Sequence, residues 1–390
     1  MKILFSISYY TPYVSGLTLY VKRLAEALVK KNYFISVVTI RYKKRLSLEE
    51  SIDGVRVIRA KPLFQISKGF VSIDWFLKSW KEVRRADVVI VNLPQFEGII
   101  PSFFAKIQGK KLVAIYHCEV VLPEGVFNRL VNWLLNAAIF VSLVLSNRVV
   151  TYTEDFARHS KLLAYFIGKI EYVYPPIIEP RINKRVQNVF IEKIGKKAEF
   201  GIGVAARLSA EKGIEYILES IPILKSKIKN QKSKVQFKNN NYKIVIAGPT
   251  DPVGEEKYKK YILQLIRKYQ DNVILLGEIK PEEMGSFYSL LDVLVLPSVN
   301  STEAFGMVQV EAMMMGVPVV ASDLPGVRIP IQKTGMGKIV PIHDSRKLAD
   351  AIVEVLVHKG KYMGDTDFIK KEFYFEDAVN YYDKLLKKWF

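Results

Sequence analysis

Short runs of apolar, mostly β-branched residues alternate along the chain with longer segments whose apolar positions recur every three or four residues. In the first half the short runs fall at 3–7, 34–40, 55–58, 88–91, 112–116, 149–152 and 170–173, and read as strands. Helical spacing separates them at 17–31, 75–85, 99–107 and 126–145. The second half repeats the alternation, with strands at 200–206, 244–247, 273–276, 293–296, 317–321 and 338–340. Its helical patterns begin at 214 and cover 258–269, 282–290, 305–315, 346–357 and 378–389. Strands of this kind with helices between them predict an α/β protein with parallel sheets flanked by helices.

Pro175-Pro176 and Pro180 mark a stiff connection, and a charged stretch at 181–197 follows. The expected organisation is a first domain at 1–178, a linker at 179–198, a second domain at 199–370, and a last helix within 371–390 packing back on the first domain. Two segments stand apart. Residues 126–145 are strongly apolar, with polar side chains at Asn128, Arg129, Asn132, Asn136 and Ser142. They are expected to form a helix packed on the sheet; the alternative is contact with a membrane surface through an over-apolar face. Residues 225–241, rich in lysine and asparagine, read as a surface loop.

Composition narrows the options. The 390 residues are 49% hydrophobic and 25% charged, ordinary for a globular protein with room for two cores. One cysteine excludes an internal disulfide, and four scattered histidines give no metal-ligand cluster, so no metal site is expected. Met1-Lys2 leads directly into a strand without a signal-peptide pattern, which predicts a cytoplasmic protein. The net charge of +19 is spread over both halves and calls for an anionic partner: a phosphorylated substrate or an anionic membrane surface, rather than nucleic acid, for which no binding motif is present.

The candidate chemistry clusters in loops that follow strands. Gly16 sits in the first strand–loop–helix unit, and the absence of G-x-G-x-x-G argues against a dinucleotide cofactor. His117 follows a strand's carboxyl end, where open α/β sheets bind ligands. Arg207 and Lys212 flank the loop that opens the second half, two cations suited to a diphosphate. In the stretch 298–328, Glu303 precedes a helix that Phe305-Gly306 opens, and Glu311 lies inside it. The helix start offers free amides to phosphate, and a glycine there allows close approach of backbone to ligand. Solvated carboxylates and a capped surface helix are the bland alternative.

These residues resemble the large retaining glycosyltransferase family with the GT-B fold, often called family 4. The resemblance rests on EAFGMVQVE (303–311), EAMMMGVPVVASDLPGVR (311–328), GVAARLSAEKG (203–213), VIAGP (245–249) and GKIVPIHDSRKLADAI (337–352). It implies two Rossmann-like domains with a cleft between them, the first for the acceptor and the second for a nucleotide-sugar donor. Arg207 and Lys212 would hold the donor's diphosphate, and Glu303 a sugar hydroxyl. Backbone at Phe305 and Gly306 would touch the sugar, the amides of Met307 and Val308 would meet phosphate, and Glu311 would hold the ribose. Gly16 would let the first-domain loop approach the phosphates, and His117 would sit beside the sugar. Ser15-Gly16 stands where the family often has paired glycines.

The resemblance further implies a metal-independent hexosyl transfer with retention, using a UDP-, GDP- or ADP-sugar as substrate and no cofactor. The basic charge and residues 126–145 favour a lipid-linked or surface glycan acceptor at the cytoplasmic membrane face. The rivals are a glycoside hydrolase, a sugar-nucleotide epimerase of the same fold, and a non-catalytic basic membrane-associated scaffold.

Overall fold

The computed structural model describes residues 1–66, 69–195, 200–230, 242–251 and 254–389. The chain divides into two compact units, 1–176 with 374–390, and 177–373.

The first unit opens with β1 (Lys2–Ser6), α1 (Gly16–Lys30) and β2 (Phe34–Ile40). Next come β3 (Glu49–Ile52), β4 (Val55–Ala60), β5 (Phe64–Ile66), β6 (Gly69–Val71) and α2 (Ile73–Arg85). It continues with β7 (Val88–Leu93), α3 (Ile99–Ile107), β8 (Lys111–Tyr116), α4 (Val126–Leu145), β9 (Arg148–Thr151), α5 (Glu154–His159) and β10 (Ile170–Tyr172). Eight of these strands form one sheet in the order β10-β9-β8-β7-β1-β2-β4-β3, parallel except for β3. Every residue of β7 is buried, as expected for a strand covered on both faces. The chain leaves β1 toward β2 and later returns to β7 on β1's other side, so the strand order reverses there.

The second unit begins with α6 (Lys184–Ile194), β11 (Phe200–Ala205), α7 (Ile214–Glu219), α8 (Ile221–Asn230), β12 (Tyr242–Ala247), α9 (Glu256–Lys268) and β13 (Val273–Gly277). It continues with α10 (Met284–Tyr288), β14 (Val293–Leu296), α11 (Met307–Met314), β15 (Val319–Ser322), α12 (Ile329–Thr334), β16 (Gly337–Val340), α13 (Ser345–Val357) and α14 (Thr366–Glu372). Its six parallel strands run β13-β12-β11-β14-β15-β16, so the order reverses between β11 and β14. One face of this sheet shares a core with α7, α8 and α13, built on Ile217, Leu224, Ile244 and Ile352.

Several segments differ from expectation, three of them instructively. Residues 179–198 were expected to be a linker, yet α6 lies among them and belongs to the second unit. Asn183 caps it, Phe190 is buried, and Gln187 Nε2 donates to Ser289 Oγ at 2.8 Å. Its apolar residues at 186, 190 and 194 line one side, a signal masked by the charges around them. Residues 225–230 belong to α8 rather than to a loop, and 231–241 lie outside the described residues. The β3–β4 hairpin was not foreseen, although its turn carries the usual signature: Asp53 and Gly54 both have positive φ, 50° and 81°.

The last helix, α15 (Phe375–Lys387), belongs to the first unit and packs on α1. Residues 371–373 lie in the second unit, α14 ending at Glu372. Tyr382 Oη and Tyr20 Oη share a buried hydrogen bond of 2.8 Å, and Tyr33 Oη donates to Asp383 Oδ1 at 2.8 Å. Replacing Tyr20 by Phe strands the Tyr382 hydroxyl in a dry environment, which costs about 1–3 kcal/mol. The double change Tyr20→Phe with Tyr382→Phe should cost less than the sum of the single changes, as read from urea midpoints. Strict additivity would deny the pair any coupling.

Candidate functional site

The chemistry-bearing residues gather at the carboxyl ends of the strands where each sheet reverses its order, the place at which open α/β sheets form a crevice. In the second unit the loop after β11 and the loop after β14 lie side by side. Val299 N donates to the carbonyl of Glu211 at 3.0 Å. Gly213, with φ of 59°, approaches so closely that a Cβ there would stand 2.2 Å from the carbonyl oxygen of Pro297. That contact brings Lys212 to Glu303, 91 residues away in sequence, with Nζ and Oε2 2.6 Å apart and both side chains largely buried.

Arg207 is held differently. Its Nε donates to Ser209 Oγ and Glu211 Oε1, both at 3.1 Å, and a terminal nitrogen donates to the same Oε1 at 2.6 Å. Burial pushes the Glu211 carboxyl up in pKa, but the Arg207 charge and the Ser209 hydroxyl outweigh it and bring the pKa down to about 2. Glu211 is therefore a fixed anion that orients the guanidinium. The sequence pattern did not single it out.

Gly306 is the N-cap of α11, with φ of 76° and no side-chain capping bond. A Cβ there would come within 2.5 Å of Leu296 Cδ2, so glycine is required for both shape and conformation. The helix begins at Met307, and Met307 and Val308 supply its leading amides. Phe305 is buried and meets Phe373 edge-on, with ring centres 6.0 Å apart. Glu311 lies further along α11, where Tyr288 Oη donates to its Oε2 at 2.9 Å in a buried setting. Tyr288, on α10, was a second residue that the sequence did not reveal.

In the first unit Gly16 is the first residue of α1. Ser15 caps that helix by accepting from Thr18 N at 3.2 Å, while Thr18 Oγ1 accepts from Ser15 N at 2.8 Å. The serine that stands in place of a glycine thus closes the helix entry on itself.

His117 follows β8 and is 3% exposed. Its Nε2 lies 2.9 Å from Asn92 Oδ1, and its Nδ1 lies 2.6 Å from Tyr152 Oη. Asn92 Nδ2 already donates to the Ser6 carbonyl at 3.1 Å, so Oδ1 is the acceptor and the imidazole proton sits on Nε2. Nδ1 then accepts from the Tyr152 hydroxyl, and the ring is neutral with both nitrogens satisfied. Burial lowers its pKa from 6.5 to about 3. At the same edge, Tyr9 packs against Tyr13, Tyr42 and Phe70 at ring-centre distances of 4.7, 5.6 and 5.5 Å. Beside them lies Glu97, a carboxyl whose pKa burial raises. Among the described residues no group of three His, Cys, Asp or Glu side chains is placed to hold a metal ion.

The fold and these two strand-order reversals define a two-unit α/β protein of GT-B type, and similar solved structures agree. Sucrose-phosphate synthase from Thermosynechococcus elongatus superimposes with a TM-score of 0.75 at 17% identity, covering 99% of this chain and 98% of that one. The Anabaena protein HepE, solved in complex with UDP-glucose, gives 0.75 at 16% identity with 100% of each chain covered. Two family descriptions divide the sequence between them: Glycosyltransferase Family 4 over residues 14–178 and Glycosyl transferases group 1 over residues 187–364. Both matches are to glycosyltransferases, and together they span most of the chain, a glycosyltransferase of GT-B type. An uncharacterized glycosyltransferase of Methanocaldococcus jannaschii is 26% identical over 80% of this chain and 78% of its own length. Alpha-D-kanosaminyltransferase of Streptomyces kanamyceticus is 25% identical over 73% and 72%.

The neutral His117 ring has a consequence for stability. In the unfolded chain the ring takes a proton near pH 6.5, whereas in the folded chain it does so only near pH 3. Its contribution to folding is therefore complete above pH 6.5 and drains away as pH falls toward 3. The difference in urea midpoint between the wild type and His117→Gln should narrow steadily from pH 7 to pH 4. A constant gap would contradict the assigned tautomer and charge.

Proposed function

We infer that the chain is a retaining, metal-independent hexosyltransferase. It takes a UDP-, GDP- or ADP-sugar as donor and delivers the sugar to a hydroxyl of a lipid-linked or surface glycan at the cytoplasmic face of a membrane. The observation that carries this reading is the Lys212–Glu303 pair at the reversal point of the second sheet, with the uncapped start of α11 next to it in sequence. A donor diphosphate would take Lys212 away from Glu303 and sit on the leading amides of α11, with Arg207 beside it. Glu303, released from its lysine, would accept a hydrogen bond from a sugar hydroxyl, and Glu311 would accept from the ribose.

In the reaction the bond from the anomeric carbon to the phosphate oxygen breaks, and its electron pair stays on the diphosphate. Lys212, Arg207 and the helix amides stabilise that charge where it grows. The acceptor hydroxyl bonds to the anomeric carbon from the face the phosphate leaves, and its proton passes to the departing phosphate oxygen. This keeps the anomeric configuration. His117, neutral and bonded on both nitrogens, forms a wall of the first unit's site and moves no proton. The half-buried tyrosines at that edge present flat faces suited to the acceptor's sugar rings.

Of the donors named, UDP is the first to test, because the Anabaena structure holds UDP-glucose. UDP should raise the thermal midpoint of the full chain. Lys212→Ala should remove most of that shift and lower transfer by about a hundredfold or more while leaving the circular dichroism spectrum intact. Transfer by Lys212→Ala at the wild-type rate would remove the lysine from the mechanism.

A further inference from the structure

The side of the first unit that carries α2, α3 and α4 is built unlike an ordinary protein surface. On α4 the outward positions Val126, Leu130, Trp133 and Val144 recur at helical spacing, and Val126 is 86% and Trp133 66% exposed. A surface helix normally places charged residues there. Arg129 is the only charged residue among the twenty of α4. The inward side is mostly apolar: Ala138, Ile139 and Leu143 are buried, with Ser142 between them donating to the Ala138 carbonyl. The expectation that this helix packs on the sheet holds for its second half, where Phe140 also meets Phe166, while Val126, Leu130 and Trp133 face outward.

The neighbouring helices extend the patch. Trp80 of α2 is exposed and meets Phe104 of α3 at a ring-centre distance of 5.0 Å. Phe103 on α3 is likewise exposed, and α3 packs against α4. Three adjacent helices thus share one exposed apolar face. Its charges have one sign: Lys81, Arg84, Lys106 and Arg129 are exposed on these helices, whereas Glu82 is buried against Arg56 and Asp74 is paired with Lys78.

We propose that the α2–α3–α4 face of the first unit docks on an anionic lipid bilayer, with α4 lying along the headgroup region and Trp80 and Trp133 at the apolar boundary. Length and composition would allow α4 to cross a membrane. Its buried strip, however, fastens it to the unit, so it lies on the surface instead. A second copy of the chain is the competing occupant. A twofold interface would set this cationic face against itself, whereas anionic headgroups complement it. Docking would also bring the loop at 117–125, which leaves the carboxyl end of β8 and enters α4, close to the lipid surface. The proposal deepens the membrane-acceptor reading above but does not depend on catalysis.

The test uses the purified full chain, without donor, and vesicles of phosphatidylcholine alone or mixed with phosphatidylglycerol. The chain should sediment with the anionic vesicles, its tryptophan emission should shift to the blue, and binding should weaken as salt rises. The double variant Leu130→Glu with Trp133→Glu should lose binding by about tenfold or more. It should retain the wild-type thermal response to UDP, which shows that it has folded and separates a failure of docking from a failure of the donor site. Absence of vesicle binding by the wild type at low salt would overturn the proposal. So would undiminished binding by the double variant, or a solution dimer that Leu130→Glu dissociates.

Discussion

The second unit is organised around a contact that the parallel sheet imposes. β11 has neighbours on both sides that the chain reaches by crossovers running in opposite directions, and the loops after β11 and β14 meet where the strand order reverses. The Lys212–Glu303 ion pair bridges those loops, and Gly213 brings their backbones into contact. A largely buried ion pair is a poor way to gain stability, because removing both charges from water costs about as much as their attraction returns. In the proposed function it is a poised pair, which the donor diphosphate would divide between the two partners.

The strands were legible because parallel strands covered on both faces must be continuously apolar, and 88–91 and 293–296 have that composition. What escaped was structure stabilised by neighbours rather than by its own pattern. The β3 strand reads Glu-Glu-Ser-Ile and pairs only through the hairpin that Asp53-Gly54 closes. The α6 helix hides a modest apolar stripe among lysines and arginines. At the site, the motif residues could be named from the sequence, but not what holds them. Glu211 locks Arg207, Tyr288 aims Glu311, and Asn92 with Tyr152 fixes His117. Each of these is an ordinary residue made significant by the sheet order, and one sequence alone carries no mark of that pairing.

The same limit explains the α4 helix. A periodic apolar segment has the same composition whether a sheet, a second helix or a bilayer covers it. Exposure separates its two sides: Ala138, Ile139, Ser142 and Leu143 are buried and Phe140 packs on Phe166, while Val126, Leu130 and Trp133 stand exposed. The chain's excess positive charge, which composition reports only as a sum, becomes interpretable once some of it is seen on the exposed face of these helices.

The two strand-order reversals have opposite electrostatic character, and this division follows from what each environment does to a charge. In the second unit, Glu211 remains ionised despite burial because Arg207 and Ser209 pay its desolvation, so the loop stays a fixed arrangement of charges. In the first unit no cation among the described residues meets His117; burial acts alone, and the ring gives up its charge. Glu97 responds in the same direction, its carboxyl pushed toward the neutral form. A departing diphosphate needs charges already in place, since reorganising them during the reaction would add to the barrier. A neutral polyhydroxylated acceptor needs aromatic faces and uncharged hydrogen-bonding groups, for which a fixed ion would be an expense without return. In the proposed function, the fixed charges around Arg207 and Glu211 would meet the departing diphosphate, and the neutral His117 with its hydrogen-bonding neighbours would face the acceptor.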